Sequence, residues 1–454
     1  MTRDLRKVFW ILSFAFMLGC AGAPTKWAQF HGDLSNRGFQ EIDSGFALSA
    51  AWISEPYQIT SSSPILGKDI EGKEILYVGT ADAQLIAIDT SDGSEKWTRY
   101  LGDDGVTCIV SSPAVSDKRS IYVITNREIG NGRILSTLQK VDEFSNLRWS
   151  YMFPDNGFTT GSPKVIISGN QTFIFVYVLV GGPGELQGEL FVLRDDEKQA
   201  ELLDRKALNT CRHDSGGSNS EQRDLLDYLA DSWNFISGFP IEVDARQAPL
   251  PGLFVDPTPA IDVSGQKMRI VIADNLCSVG AYEWDGVELS VLWRVAHDFG
   301  KHSSPALLPD GLMVFGNKDG QVFAYDATTG VKMWEYAAHE PIFATPAAAP
   351  EQFIFLVSKN HIQAVHSSDG TLIHDDMLPR KLKLLGQTHG SPAVTANRVY
   401  VSAAEILTVT YDFKARGHDT NFLGNGLSSV AVSSSGDVYA VGIDGTIRKY
   451  KGTD

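Results

Sequence analysis

Two stretches decide how this chain folds: Ala87-Ile88-Asp89-Thr90-Ser91-Asp92-Gly93-Ser94-Glu95-Lys96-Trp97, and Ala324-Tyr325-Asp326-Ala327-Thr328-Thr329-Gly330-Val331-Lys332-Met333-Trp334. Each closes an alternating apolar run (84–89 and 321–326), turns through Asp and Gly, and reopens as a strand carrying Trp. Period-two alternation predicts half-buried strands. Gly four residues before Trp supplies the positive φ of a tight turn. Trp149 and Trp293 hold the same place in weaker copies, and His374 stands there after Gly370. A flat indole returning on an outer strand predicts wedges between neighbouring sheets, because one ring buries up to about 250 Å².

Upstream of each copy lies a second motif of small residues, Pro and an apolar residue. It reads Ser62-Ser63-Pro64-Ile65, Ser111-Ser112-Pro113-Ala114, Gly161-Ser162-Pro163-Lys164 and Pro257-Thr258-Pro259-Ala260. It continues as Ser303-Ser304-Pro305-Ala306, Ala344-Thr345-Pro346-Ala347 and Gly390-Ser391-Pro392-Ala393, with Ser428-Ser429-Val430-Ala431 as a last copy without proline. Apart from one 96-residue interval, the spacing is 38–50 residues. That is the length of a four-stranded propeller blade. The fold class is therefore all-β: an eight-bladed β-propeller with one partly helical insertion.

The pattern Ala-x-Asp-x-x-x-Gly-x-x-x-Trp resembles the repeat of the PQQ-type, quinoprotein-like β-propellers. Trp27-Ala28-Gln29-Phe30-His31-Gly32-Asp33, with Asn36-Arg37-Gly38, is similar to that family's opening motif. The last blade, 427–450, has room for three strands. The stretch 48–53, with Trp52, reads as the outer strand that completes it. Closing the ring with the opposite terminus removes an open edge. The long interval holds residues 210–255, which lack strand alternation. Ser218-x-x-Glu221 fits a capping box, and Leu225, Leu229 and Trp233 recur at helical spacing. These three are candidate partner contacts, or else pack down as a cover over the propeller.

Residues 1–19 read as a signal peptide. Arg3, Arg6 and Lys7 precede an apolar run over 8–18, too short to span a bilayer, and then Gly19-Cys20. This resembles the lipobox of bacterial lipoproteins. The resemblance implies acylation of Cys20, palmitate included, a tether over 20–26 and a propeller over 27–454. With Ala21 following, it also implies sorting to the outer membrane, facing the periplasm. Two or more acyl chains anchor without a spanning helix. Cys108, Cys211 and Cys277 remain, enough for one disulfide in an oxidising compartment, with Cys211–Cys277 the favoured pair.

The net charge is −16, from 39 Lys plus Arg against 55 Asp plus Glu. A nucleic-acid partner needs a basic face and is not expected. No P-loop, G-x-S-x-G or H-E-x-x-H occurs. Enzymes of the resembled family hold PQQ over calcium above the channel and use adjacent cysteines. This chain has no adjacent pair. The residue three before each motif proline faces one channel mouth. Ser61, Thr160, Asp256, His302 and His389 are polar there, and are candidates either for a ligand or for capping strand ends. Trp52, Trp97, Trp149, Trp293 and Trp334 are assigned to packing. The expectation is a monomeric, cofactor-free, lipid-anchored scaffold for an envelope protein, similar in class to propeller lipoproteins of outer-membrane β-barrel assembly. The alternative is a quinoprotein-type oxidoreductase, or another enzyme working at the channel mouth.

Overall fold

A computed structural model describes residues 27–43, 47–58, 62–102, 107–129, 134–181, 187–208, 257–264, 267–274, 278–297, 302–349, 352–358, 361–377, 390–402, 406–412, 417–424, 428–442 and 444–453. Every named element among them is a strand. The strands form eight sheets arranged as the blades of a propeller, antiparallel throughout except for one short parallel strand, Phe39–Gln40, on the seventh. Blade 1 runs through Ile65–Lys68, Glu74–Gly79, Gln84–Asp89 and Glu95–Tyr100, each strand pairing with the next. Blades 2 to 7 repeat this order over 107–152, 164–207, 260–296, 306–337, 347–377 and 393–424. The insertion read over 210–255 lies outside the described residues.

Blade 8 draws on both ends of the chain. Ala431–Val432, Val438–Val441 and Ile447–Thr453 supply three strands, and Ala47–Ile53 pairs antiparallel with the last of them. Trp52 then lies against Tyr439, with ring centroids 6.1 Å apart. The seam is pinned further by Ser54, whose N–H donates to Ile447 O and whose Oγ accepts from Ile447 N, both at 2.9 Å.

The cores lie between blades as much as within them. One cluster joins Leu66, Leu76 and Ile86 of blade 1 to Val438, Tyr439 and Tyr450 of blade 8. Such packing explains why strands buried on both faces, such as Phe173-Ile174-Phe175-Val176-Tyr177-Val178, are apolar without alternation. The repeat's Ala has its own reason. Ala87 pairs across the sheet with Trp97, Ala281 with Trp293, Ala324 with Trp334 and Ala364 with His374. A small side chain leaves space beside the indole. A bulge directly after each of these pairs turns the outer strand.

Candidate functional site: a closed centre and an open rim

The N-terminal segment 27–40 crosses the centre of the ring. The backbone N–H two residues after the motif proline is its contact in seven successive blades. Leu66, Val115, Ile261, Leu307, Ala348 and Val394 donate to the carbonyls of Trp27, Ala28, Leu34, Ser35, Arg37 and Gly38 at 2.7–3.0 Å. Val165 donates instead to Gln29 Oε1 at 2.9 Å. Asn36 Nδ2 reaches the carbonyls of Thr258 and Pro305, both at 3.0 Å. The segment ends in Phe39–Gln40, a short strand parallel to Ala393–Thr395 of blade 7. Trp27, His31 and Asn36 adopt positive φ, as do Gly32 and Gly38, so the plug is tightly coiled. At Gly38 a Cβ would meet both the His31 ring and, at 2.8 Å, the Pro392 carbonyl.

A second ring lies beside the plug. The residue before each motif proline, or before Val430, is Ser or Thr, and all eight are buried. Ser63 N donates to Ser112 Oγ, Ser112 N to Ser162 Oγ, Ser162 N to Thr258 Oγ1 and Thr258 N to Ser304 Oγ. Thr345 N donates to Ser391 Oγ, Ser391 N to Ser429 Oγ, and Ser429 N back to Ser63 Oγ. These bonds measure 2.9–3.2 Å. They satisfy backbone donors that the closely apposed inner strands would otherwise bury unpaired. The sequence displays these residues plainly, but their role needs the neighbouring copy to be visible.

Two titratable side chains are buried at the plug, Lys164 from blade 3 and His31 of the plug itself. Lys164 Nζ donates to Phe30 O at 2.9 Å and Asp33 O at 2.6 Å. Burial pulls its pKa down to about 7, against the attraction of Asp33. His31 presents Nδ1 to Asn36 O and Nε2 to Pro392 O, each at 2.7 Å. Only an imidazolium donates from both nitrogens. Burial opposes that charge and outweighs the two carbonyls and Asp33, and the pKa falls to about 4.

Of the mouth candidates, Ser61, Asp256 and His389 lie outside the described residues, as do Cys20, Leu225, Leu229, Trp233, Cys211 and Cys277. Thr160 is buried. His302 is buried too, its Nδ1 2.7 Å from Asp274 O and its ring edge-on to His297 and Phe315. Burial first, then the neighbouring His297, lowers its pKa to about 4. Thr160 and His302 are thus both buried, His302 with one ring nitrogen engaged by a backbone carbonyl. Among the described residues no three ligating side chains converge on a metal position. Cys108 is a buried free thiol whose pKa burial raises.

At the rim, the tryptophans reach into the next blade. Trp52 Nε1 donates to Thr90 O at 3.0 Å, Trp97 to Glu143 O at 2.9 Å, Trp293 to Ala327 O at 3.0 Å and Trp334 to Ser367 O at 2.7 Å. Each acceptor directly follows the first residue of the neighbour's Asp-x-x-x-Gly turn or its variant. The turn's Gly faces the same indole. A Cβ on Gly93 would lie 2.7 Å from Trp52, and one on Gly330 or Gly370 would lie 2.6 Å from Trp293 or Trp334. The glycine therefore serves the preceding blade's tryptophan as well as its own turn.

Trp149 differs. Its Nε1 donates to Asp195 Oδ1 at 2.9 Å, while Tyr122 Oη and Lys140 Nζ both reach Asp195 Oδ2 at 2.6 Å. Burial alone would raise the Asp195 pKa, but Lys140, Tyr122 and Trp149 together hold it below the usual range. This buried pair floors a groove of about 530 Å³ between blades 2 and 3, edged by Lys118, Arg148, Asp196 and the exposed Phe144. On the rim of blades 5 and 6, His339 and His361 share the two oxygens of Asp375 at 2.9 and 2.8 Å.

The family described as outer membrane protein assembly factor BamB matches residues 50–178 and 290–447. No curated protein matches the chain. Among solved structures, quinohemoprotein alcohol dehydrogenase from Comamonas testosteroni is similar at 12% identity and TM-score 0.61, covering 96% of this chain and 82% of its own. A europium-containing methanol dehydrogenase gives 11% identity and TM-score 0.59, covering 92% and 89%. BamB from Moraxella catarrhalis gives 13% identity and TM-score 0.47, covering 95% and 98%. At these identities the likeness is one of fold.

Proposed function

We propose, from the premise that this chain belongs to the family described as outer membrane protein assembly factor BamB, that it is a lipid-anchored envelope scaffold assisting outer-membrane protein assembly. One observation carries this reading. The inner strands of seven successive blades are bonded to the chain's own residues 27–40, so the centre of the ring is taken up with holding the disc together. Recognition is then left to the rim, where rigid sheets present loops and strand edges to a protein partner. Cys20 would carry the anchor and hold the disc in the periplasm at the outer membrane. Leu225, Leu229 and Trp233 would add a contact surface. Ser61, Thr160, Asp256, His302 and His389 would shape the mouth.

The test is crosslinking of tagged chain in native envelopes. A defined membrane-assembly partner should be recovered, and replacing Cys20 by Ala should release the protein from membranes. Deletion of 212–250 should weaken capture while the ring still folds. Recovery of no partner from intact envelopes would refute the reading. So would stoichiometric uptake of PQQ with calcium accompanied by dehydrogenase turnover.

A further inference from the structure

Each blade ends in an outer strand whose far side has no strand partner among the described residues. Such edges template further pairing unless charge, distortion or cover protects them. Seven of the eight outer strands carry charge. Blade 2 has Arg148, blade 4 Arg294 and blade 7 Asp419 as single charges, and the others have two or more. The eighth, Ala47–Ile53 of blade 8, has none in seven residues, Ala-Leu-Ser-Ala-Ala-Trp-Ile.

This edge is also fixed in place. Trp52 is docked on blade 1, and Ser54 clamps the strand end to Ile447. Ser49, Ala50 and Ala51 are exposed, and Ile53 is 57% exposed. A rigid edge loses little entropy when a second strand pairs with it.

Charge at the two ends selects the occupant. Asp43 lies four residues before the strand and Glu55 two residues after it, both exposed. Lys451 stands opposite Ser49, but on the next strand inward. A second copy pairing antiparallel would bring acid against acid, on chains of net charge −16. An extended apolar segment with a basic residue at each end would meet opposite charges at both.

We propose that the outer edge of blade 8 is a strand-addition site for an extended, uncharged segment of a protein partner, flanked by Lys or Arg. The inference rests on the scaffold reading and names the edge it uses.

The probe is a fluorescent peptide of six alternating Val and Ser residues with Lys at each end, titrated into the purified full chain. Binding should be detectable, and should weaken about tenfold with Asp at the peptide ends or with Glu55→Lys in the protein. Ile53→Lys and Ala50→Lys place a charge on the edge and should each weaken binding at least about tenfold with an unchanged melting temperature. Equal affinity for the Asp-ended peptide, or undiminished binding by a folded Ile53→Lys chain, would overturn the proposal. Sedimentation showing a dimer abolished by Ile53→Lys would also overturn it, in favour of a second copy. If envelope capture persists in Ile53→Lys while peptide binding is lost, the edge stands as a peptide site but not as the partner's contact, and the proposal fails on that point alone.

Discussion

The centre and the rim of this molecule use the same repeat under different constraints. At the centre, the inner strands of eight blades crowd one axis, and polar groups are satisfied by each other: Ser and Thr hydroxyls between blades, and the plug's carbonyls beneath them. At the rim the blades diverge, and a bulky indole fills each widening gap. The lesson concerns tolerance. Little at the centre can change without touching a neighbour, whereas much of the rim faces water and is free to vary in charge and shape.

Substitution of glycines sharpens this contrast most. Gly330 and Gly311 share positive φ, 72° and 86°, but Gly330 faces Trp293 while Gly311 has open space. Gly330→Val should cost at least about 4 kcal/mol, combining backbone strain with displacement of a buried indole. Gly311→Ala should cost about 1 kcal/mol, from φ alone. Denaturant melts measure both. Equal losses would mean that the indole yields freely, and the account of the docks would fail.

Acid should come next in size. His31 and His302 have folded pKa values of about 4, below the unfolded 6.5. The unfolded chain therefore binds more protons between those values. Stability is fully present above pH 6.5 and is lost as pH falls towards 4, by about 3 kcal/mol for each histidine. His302→Asn keeps a donor for Asp274 O and should flatten its share of the acid limb. An unaltered pH profile in that variant would show that His302 binds its proton equally well in the folded and unfolded chain, and would overturn the account of its burial.

The smallest expected effects separate the hydroxyl ring from its surroundings. Ser391→Ala removes the acceptor of Thr345 N and should cost about 1–2 kcal/mol. Ser111 Oγ is buried without a partner, so Ser111→Ala should be neutral or slightly stabilising. Phe144→Ser at the exposed rim should stay within about 0.5 kcal/mol. A loss for Ser111→Ala equal to that for Ser391→Ala would break the ring's distinction from any other buried serine.

Much of this fold was legible in the sequence because propeller repeats advertise themselves. The proline motif counts the blades, and Trp52 marks the strand that completes blade 8. The tryptophan wedges between blades were legible too; what escaped was where each indole lands and which polar groups link one copy to the next. Gly93 explains itself as a turn residue, and nothing local shows that Trp52 lands on it. Ser63, Ser112 and Ser162 look like ordinary small residues before proline until their neighbours are in place. Trp27 to Gly38 reads as an opening motif, yet its partners are scattered from Leu66 to Val394. The site was less legible for a related reason. His302 is a polar residue in a promising register, but register does not reveal that Asp274 O and Phe315 enclose it.

The plug has a consequence in time. Trp27 is made early, yet Gly38, eleven residues on, bonds to Val394, more than 350 residues later in the chain. At roughly 5–20 residues per second, synthesis separates these partners by about 20–70 seconds. Until then the leading segment lacks its full set of partners, and the circle cannot lock. A polypeptide built this way becomes a finished disc only after its last blades have been made.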